Sequence, residues 1–225
     1  MTSIFSFFFF TLAAVTQMQI PVPFTPQAPE GIWVEPWANA CEEASIVMVD
    51  AYYRGLPLDT TTAVDRIHDV IAEKEKRFGE SKDESAETIV SLIEDTALWH
   101  ARIEKKPTVE EIQRELHSNR PVIIPFDARR VSNPHFIDPK PDYHVAVIIG
   151  FDEETKTFIV HEPGTSFGES FRYGYDELLA ANESYEIGDT GEERGGDVIF
   201  TSPETTVEKV VRRIGEQIRK VFTHS

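Results

Sequence analysis

The chain of 225 residues has one cysteine, Cys41. A single thiol excludes an internal disulfide and a cysteine-based zinc knuckle, which leaves a small buried hydrophobe or a nucleophile. Basic residues are also scarce, with 22 Lys and Arg against 39 Asp and Glu, for a formal charge of -17. Phosphates and anionic surfaces are repelled by such a chain at long range, so no nucleic-acid partner is expected. Neither the 12 glycines nor the 14 prolines point to a collagen-like or disordered chain. No internal repeat of useful length is present. The apolar run from Ile4 to Val15 is too short for a normal membrane span.

What is there is enough for one domain: 40% hydrophobic residues can build a single core. The Ile4–Val15 run, with Phe7 to Phe10 inside it, fits the apolar core of a secretory signal or an uncleaved membrane anchor. Only Met1-Thr2-Ser3 precede it, without the usual positive charge, and Ala13 and Ala14 could serve a cleavage site. The expected organisation is a signal-like or anchor segment over 1–20, a main domain over 21–202 and an amphipathic helix over 203–225. The expected location is extracytoplasmic, secreted or membrane-anchored, and the expected state is a monomer.

The first half reads as helical. Asn39 is a good N-cap with Glu42 three residues on, a capping-box pattern that starts a helix at Ala40 and ends it at Gly55. Further helices are expected over Thr61–Lys76, stopped by Gly79, over Ala86–Ala97, and from Thr108, with its own capping box to Glu111, to about Ser118. Val22-Pro23-Phe24 reads as a first edge strand. Past Pro121 the pattern changes to strands at Val122–Phe126, Val145–Ile149 and Phe158–Val160, the last two a hairpin turning at Asp152–Thr155. Tyr175–Ala181 reads as a short helix and Val198–Phe200 as a closing strand. A final helix is expected to begin at Pro203 and to dock its stripe of Val207, Val210, Val211, Ile214, Ile218, Val221 and Phe222 on the domain. Helices followed by an antiparallel sheet indicate an α+β fold.

Three residues suggest chemistry. Cys41 stands in the first turn of a helix, whose dipole favours a thiolate, while Glu42 and Glu43 oppose one. His144 stands at the mouth of a strand that is apolar on both faces, where a base is held rigidly, although a structural histidine fits as well. Glu162 follows on the next strand and could orient the imidazole or serve only as a turn carboxylate before Pro163-Gly164. His135, Asp138, His144, His161 and Glu162 could be drawn as metal ligands, but no helical His-x-x-x-His spacing supports a metal site.

The motifs Val22-Pro23-Phe24-Thr25-Pro26-Gln27, Cys41-Glu42-Glu43-Ala44-Ser45, Tyr143–Asp152 and His161-Glu162-Pro163-Gly164-Thr165 occur in that order. With Phe171-Arg172-Tyr173 downstream, they resemble the cysteine-peptidase family 39-like domain over roughly Pro21 to Thr201, a papain-like relative of bacteriocin-leader processing peptidases. The resemblance implies a papain-like fold, no cofactor, and a peptide or related amide substrate. It makes Cys41 the nucleophile, His144 the base that takes its proton, Gln27 the side-chain donor to the oxyanion, and Glu162 the acidic third member. Two positions depart from the family's pattern: Glu162 stands where aspartate is usual, and Glu42 replaces the glycine common after the cysteine. A catalytically silent binding module and a thiol acyl or amide transferase remain as alternatives to a thiol hydrolase.

Overall fold

The computed structural model describes residues 16–79, 83–184, 195–212 and 214. Helix α1 (Cys41–Arg54) is buried at every position from Cys41 to Ala51, because it has structure on two sides. Ala44 and Val47 pack with Ile67 and Ile71 of α2 (Thr60–Phe78), while Ile46, Met48 and Val49 join the main core against the sheet. Gly55 ends α1 in the left-handed region (φ 63), and its N–H returns to the carbonyls of Ala51 and Tyr52. Asp59 caps α2 through Thr62 N, and Ser85 caps α3 (Ala86–Thr96) through Thr88 N. Helix α4 (Val109–His117) carries the reciprocal Thr108–Glu111 capping box expected from its sequence.

Seven strands form one antiparallel sheet among the described residues. They are β1 (Gln17–Gln19), β2 (Trp99–Lys105), β3 (Val122–Phe126), β4 (His144–Asp152), β5 (Thr157–His161), β6 (Phe171–Gly174) and β7 (Asp197–Pro203). The order is β2-β7-β3-β4-β5-β6, with β1 also paired to β4. Helix α5 (Tyr175–Asn182) follows β6 directly. The fold is α+β, with the helical first half packed on an antiparallel sheet. All nine residues of β4 are buried, since β3, β5 and β1 pair with its edges and α1 packs against it.

Several local expectations are corrected. Val22–Phe24 is not a strand; the short strand at that edge is β1, inside the segment expected to be signal-like. The apolar run Ile4–Val15 lies outside the described residues, and among those described no helix is long and apolar enough to cross a membrane. Asn39 does not cap α1. It sits in a 3-10 turn, its amide bonded to Glu35 at 2.6 Å, and α1 starts after Ala40 with no side-chain cap. Pro203 closes β7 instead of opening a helix; the final helix, 206–212, starts behind a Thr205–Glu208 capping box. Its apolar residues are not docked: Val207 is 72% and Val211 64% exposed, and Val210 and Ile214 are exposed as well. Ile218, Val221 and Phe222 lie outside the described residues.

This burial map sets a contrast in stability. Phe158→Ala, at a fully buried position of β5, should lower the unfolding free energy by about 3–5 kcal/mol in denaturant titration. Val211→Ser should change it by no more than about 0.5 kcal/mol. A comparable loss for Val211→Ser would mean that the final helix docks in solution.

Candidate active site

The N-terminus of α1 opens on a cavity of about 620 Å³ whose walls include Gln27, Trp33, Cys41, Phe136, His144 and Phe167. Cys41 is the first residue of α1 and only 5% exposed. Its thiol donates to Glu42 Oε2 at 3.0 Å. Burial, then the negative charge of Glu42, push the Cys41 pKa well above its ordinary value, and Glu43 adds to the effect. A helix dipole is worth at most about 2 kcal/mol, and here it is outweighed. The expectation that the helix makes this thiol more acidic is corrected accordingly: burial and the two carboxylates act the other way, and the thiol donates to Glu42.

His144 begins β4 opposite Phe126 of β3. Its ring is clamped edge-on between Phe126 and Phe136, at centroid distances of 5.4 and 5.5 Å and interplanar angles of 90° and 84°. Nε2 is hydrogen-bonded to Glu162 Oε1. Nε2 is thus the nitrogen that faces the carboxylate, and Nδ1 is the one left for other partners.

Glu162 is fully buried and well supplied with donors. Oε1 also accepts the Gly164 N–H at 2.9 Å, and Oε2 accepts the Tyr173 hydroxyl at 2.9 Å. That hydroxyl in turn accepts from Asn133 Nδ2 at 2.8 Å. Burial and the neighbouring Glu162 charge push the Tyr173 pKa far up, so it remains a donor. The loop past β5 folds back on this carboxylate, with Glu162 N donating to Gly168 O at 3.0 Å. A Cβ on Gly164 would lie 2.8 Å from His144 Cε1, and one on Gly168 would overlap the Glu162 carbonyl. Both close approaches require glycine. Glu162 is therefore no solvated turn carboxylate.

Gln27 lines the cavity, but both of its amide protons are committed, at 2.9 Å each, to the carbonyls of Trp37 and Ala38. Its Oε1 is buried without a partner. The side-chain donor expected for an oxyanion is thus turned into the protein. His161 is also turned away from the cavity. Its Nε2 meets Val22 O at 2.8 Å and its Nδ1 accepts Ser170 N at 3.2 Å, which makes it neutral, and burial lowers its pKa. His135 stacks on Phe167 at 4.8 Å. Among the described residues no group of three or more His, Cys, Asp or Glu side chains comes together as metal ligands.

The sequence profile of the Peptidase C39-like family matches residues 19–191, most of the chain. The chain belongs to the Peptidase C39-like family. The crystal structure of a candidate C39-like peptidase from Bacillus anthracis superposes with a TM-score of 0.50 at 15% identity, covering 84% of this chain and 98% of that one. That likeness supports the fold. Among curated proteins none matches this chain.

Within this family member, Tyr173, Asn133 and Phe136 were not singled out as site residues: Tyr173 stood out only as part of Phe171-Arg172-Tyr173, and no local motif marks the other two. They reach the site from β6 and from the loop before β4. Tyr173→Phe removes a donor from a buried carboxylate and should cost about 1–3 kcal/mol by denaturant titration. A second expectation concerns acidity. Burial, then Glu43, raise the Glu42 carboxyl from its ordinary 4.5 to about 8, so between those values the folded chain holds a proton that the unfolded chain has released. Stability should therefore fall as pH rises from about 4.5 to about 8. Glu42→Gln should flatten that fall; an unchanged slope would show that Glu42 ionises normally.

Proposed function

We propose that this chain is a thiol hydrolase of papain-like type that cleaves peptide or related amide bonds. Membership of the Peptidase C39-like family supports a cysteine peptidase-like function in outline. One geometric observation carries the finer reading. A buried carboxylate, Glu162, holds Nε2 of a ring-clamped His144, while Nδ1 remains for chemistry on the cavity that Cys41 also lines. A nucleophile, an imidazole and an orienting acid in these relations are what acyl transfer through a thiol requires.

In this reading Cys41 attacks the carbonyl carbon of the scissile amide. His144 serves as the acid–base group: it takes the thiol proton, gives it to the leaving amine, later takes one from the water that attacks the acyl group, and returns that proton to the departing sulfur. The Cys41 backbone N–H, in the first turn of α1, is the donor on hand for the oxyanion. Gln27 joins it only by giving up a bond to Trp37 O or Ala38 O.

One observation favours a second reading. A thiol that is 5% exposed, hydrogen-bonded to Glu42 and raised in pKa suits a binding module that no longer catalyses. An electrophilic peptide label and turnover of a mixed peptide substrate separate the two. For the hydrolase, Cys41→Ser abolishes labelling and turnover, His144→Ala lowers turnover about 10²–10⁴-fold, and Glu162→Gln lowers it severely with the fold intact. Peptide binding that survives Cys41→Ser, with no labelling of the unaltered protein, would establish the binding module instead.

A further inference from the structure

Holding His144 in one orientation requires that the carboxyl group of Glu162 keep one plane. A glutamate does not do this alone, because rotation about its last side-chain bond is broad and roughly two-fold. Oε1 meets His144 Nε2 and accepts the Gly164 N–H at 2.9 Å. Among the described residues the donor to Oε2 is the Tyr173 hydroxyl, also at 2.9 Å. With both oxygens engaged the plane is set, and Tyr173 supplies the second point of hold.

That hydroxyl has one proton, and the residues behind it impose its direction. Asn133 Nδ2 donates to the hydroxyl oxygen at 2.8 Å, which leaves the hydroxyl proton for Glu162. The Asn133 amide is itself fixed end for end, since its Oδ1 accepts the His135 backbone N–H at 2.9 Å. Every bond in the series therefore runs one way, from the His135 N–H through Asn133 and Tyr173 to Glu162. The Tyr173 ring is held as well. It is fully buried and lies 5.9 Å from Phe126, the ring that also stands edge-on to His144. Neither Tyr173 nor Asn133 lines the cavity.

We propose that Tyr173 is a positioning residue for the thiol hydrolase reaction, acting through Glu162 on His144, with Asn133 directing its hydroxyl. This role rests on the thiol hydrolase reading. Tyr173 touches neither the substrate nor the reacting atoms, and no bond to it breaks. Its hydroxyl holds the carboxyl group, and the carboxyl group holds the imidazole where it takes the thiol proton and passes it to the leaving amine. Without the hydroxyl, Oε2 is a buried acceptor with no donor, and Glu162 gains by turning towards another. The imidazole then loses its fixed partner, while the cavity and its substrate contacts remain.

The test compares the full chain with Tyr173→Phe, by turnover of the mixed peptide substrate and by proton NMR of the His144 ring N–H. A hydrogen-bonded ring proton shielded from water gives a separate downfield signal, assigned by its loss in His144→Ala. Tyr173→Phe should lower kcat at least about tenfold, towards the 10²-fold of an ångström-scale misplacement, while KM changes by less than about twofold. The downfield signal should move. In a Glu162→Gln background the same substitution should change kcat by less than about twofold further, because the group it acts through is already altered.

An unchanged kcat in folded Tyr173→Phe overturns the role and leaves the hydrolase reading standing. So does a loss of equal size in both backgrounds, which would mean that Tyr173 acts apart from Glu162. A raised KM with kcat unchanged moves the effect to substrate binding and overturns the role as well. No turnover and no thiol labelling by the unaltered protein sink the hydrolase reading, and this role with it. If Tyr173→Phe does not fold, 3-fluorotyrosine in place of Tyr173 keeps the hydroxyl and makes it a stronger donor. Burial and the neighbouring Glu162 hold the Tyr173 pKa far up, so the fluorinated ring stays protonated. The His144 signal and kcat should then change together, and either one staying at its unaltered value overturns the proposal.

Discussion

The site depends on the burial of strand β4. Its nine residues are all out of water because β3 and β1 pair with one edge, β5 with the other, and α1 covers a face. A strand held this way has no freedom to slip, since a shift of one residue would send every side chain to the opposite face. His144 is the first residue of that strand, so its backbone is positioned by the core, and the two phenyl rings beside it fix the ring plane. The β4–β5 register pairs Val147 with His161, which brings the residues just after β5 alongside those just before Val147. Glu162 and Gly164 reach the imidazole for that reason. Helix α1, packed on the same strand, brings Cys41 to the same cavity. Ser45, one turn into α1, donates to Val145 O at 3.4 Å and joins helix to strand just behind the site.

Two buried acidic systems flank the cavity, and they are solvated differently by the protein. Glu162 receives a tyrosine hydroxyl, a backbone N–H and an imidazole, enough donors for both of its oxygens. Both oxygens of this buried group are thus satisfied by protein groups. In the second system Lys74 lies against Glu43 and Glu84, while Glu42 meets a backbone N–H and the Cys41 thiol. Burial, then Glu43, raise the Glu42 carboxyl to about 8, and burial, then Glu42, push the Cys41 thiol up.

Much of this was legible in the chain. Helices α1 to α4 and strands β3 to β5 have strong periodicity and clear stops, and they appear within a few residues of their expected limits. Strand β2 was missed although Trp99, Ala101 and Ile103 alternate with polar residues, because His100, Arg102, Glu104 and Lys105 make it look like loop. It lies at the edge of the sheet, where half of the side chains can meet water. Strands β1 and β6, three and four residues long, are too short to carry a period. Asn39 was misjudged because a nearby carboxylate, Glu35, competes for its amide, and capping statistics do not register such competition. The pairing of Lys74 with Glu43 spans two helices, so no local pattern reports it.

The two positions expected to depart from the family's pattern, Glu42 and Glu162, are both buried and both hydrogen-bonded within the protein. A glutamate in place of aspartate at 162 carries its carboxylate one methylene farther, and the surrounding loop makes room for it. Gly164 and Gly168 press against His144 and the Glu162 backbone where any Cβ would collide, and Gly164 adds its own N–H to the carboxylate. Glu42, in place of glycine, would narrow the approach of a substrate backbone if its side chain lay in the cleft. It does not: it is 1% exposed and is drawn inward by the Glu84 N–H, behind Cys41 and off the cavity wall. The Glu42 side chain therefore takes no part in the cavity wall, and its carboxylate sits against the sulfur from the protein side. A residue that looks in sequence like a block to substrate is, in three dimensions, a hydrogen-bond partner of the Cys41 thiol on its protein side.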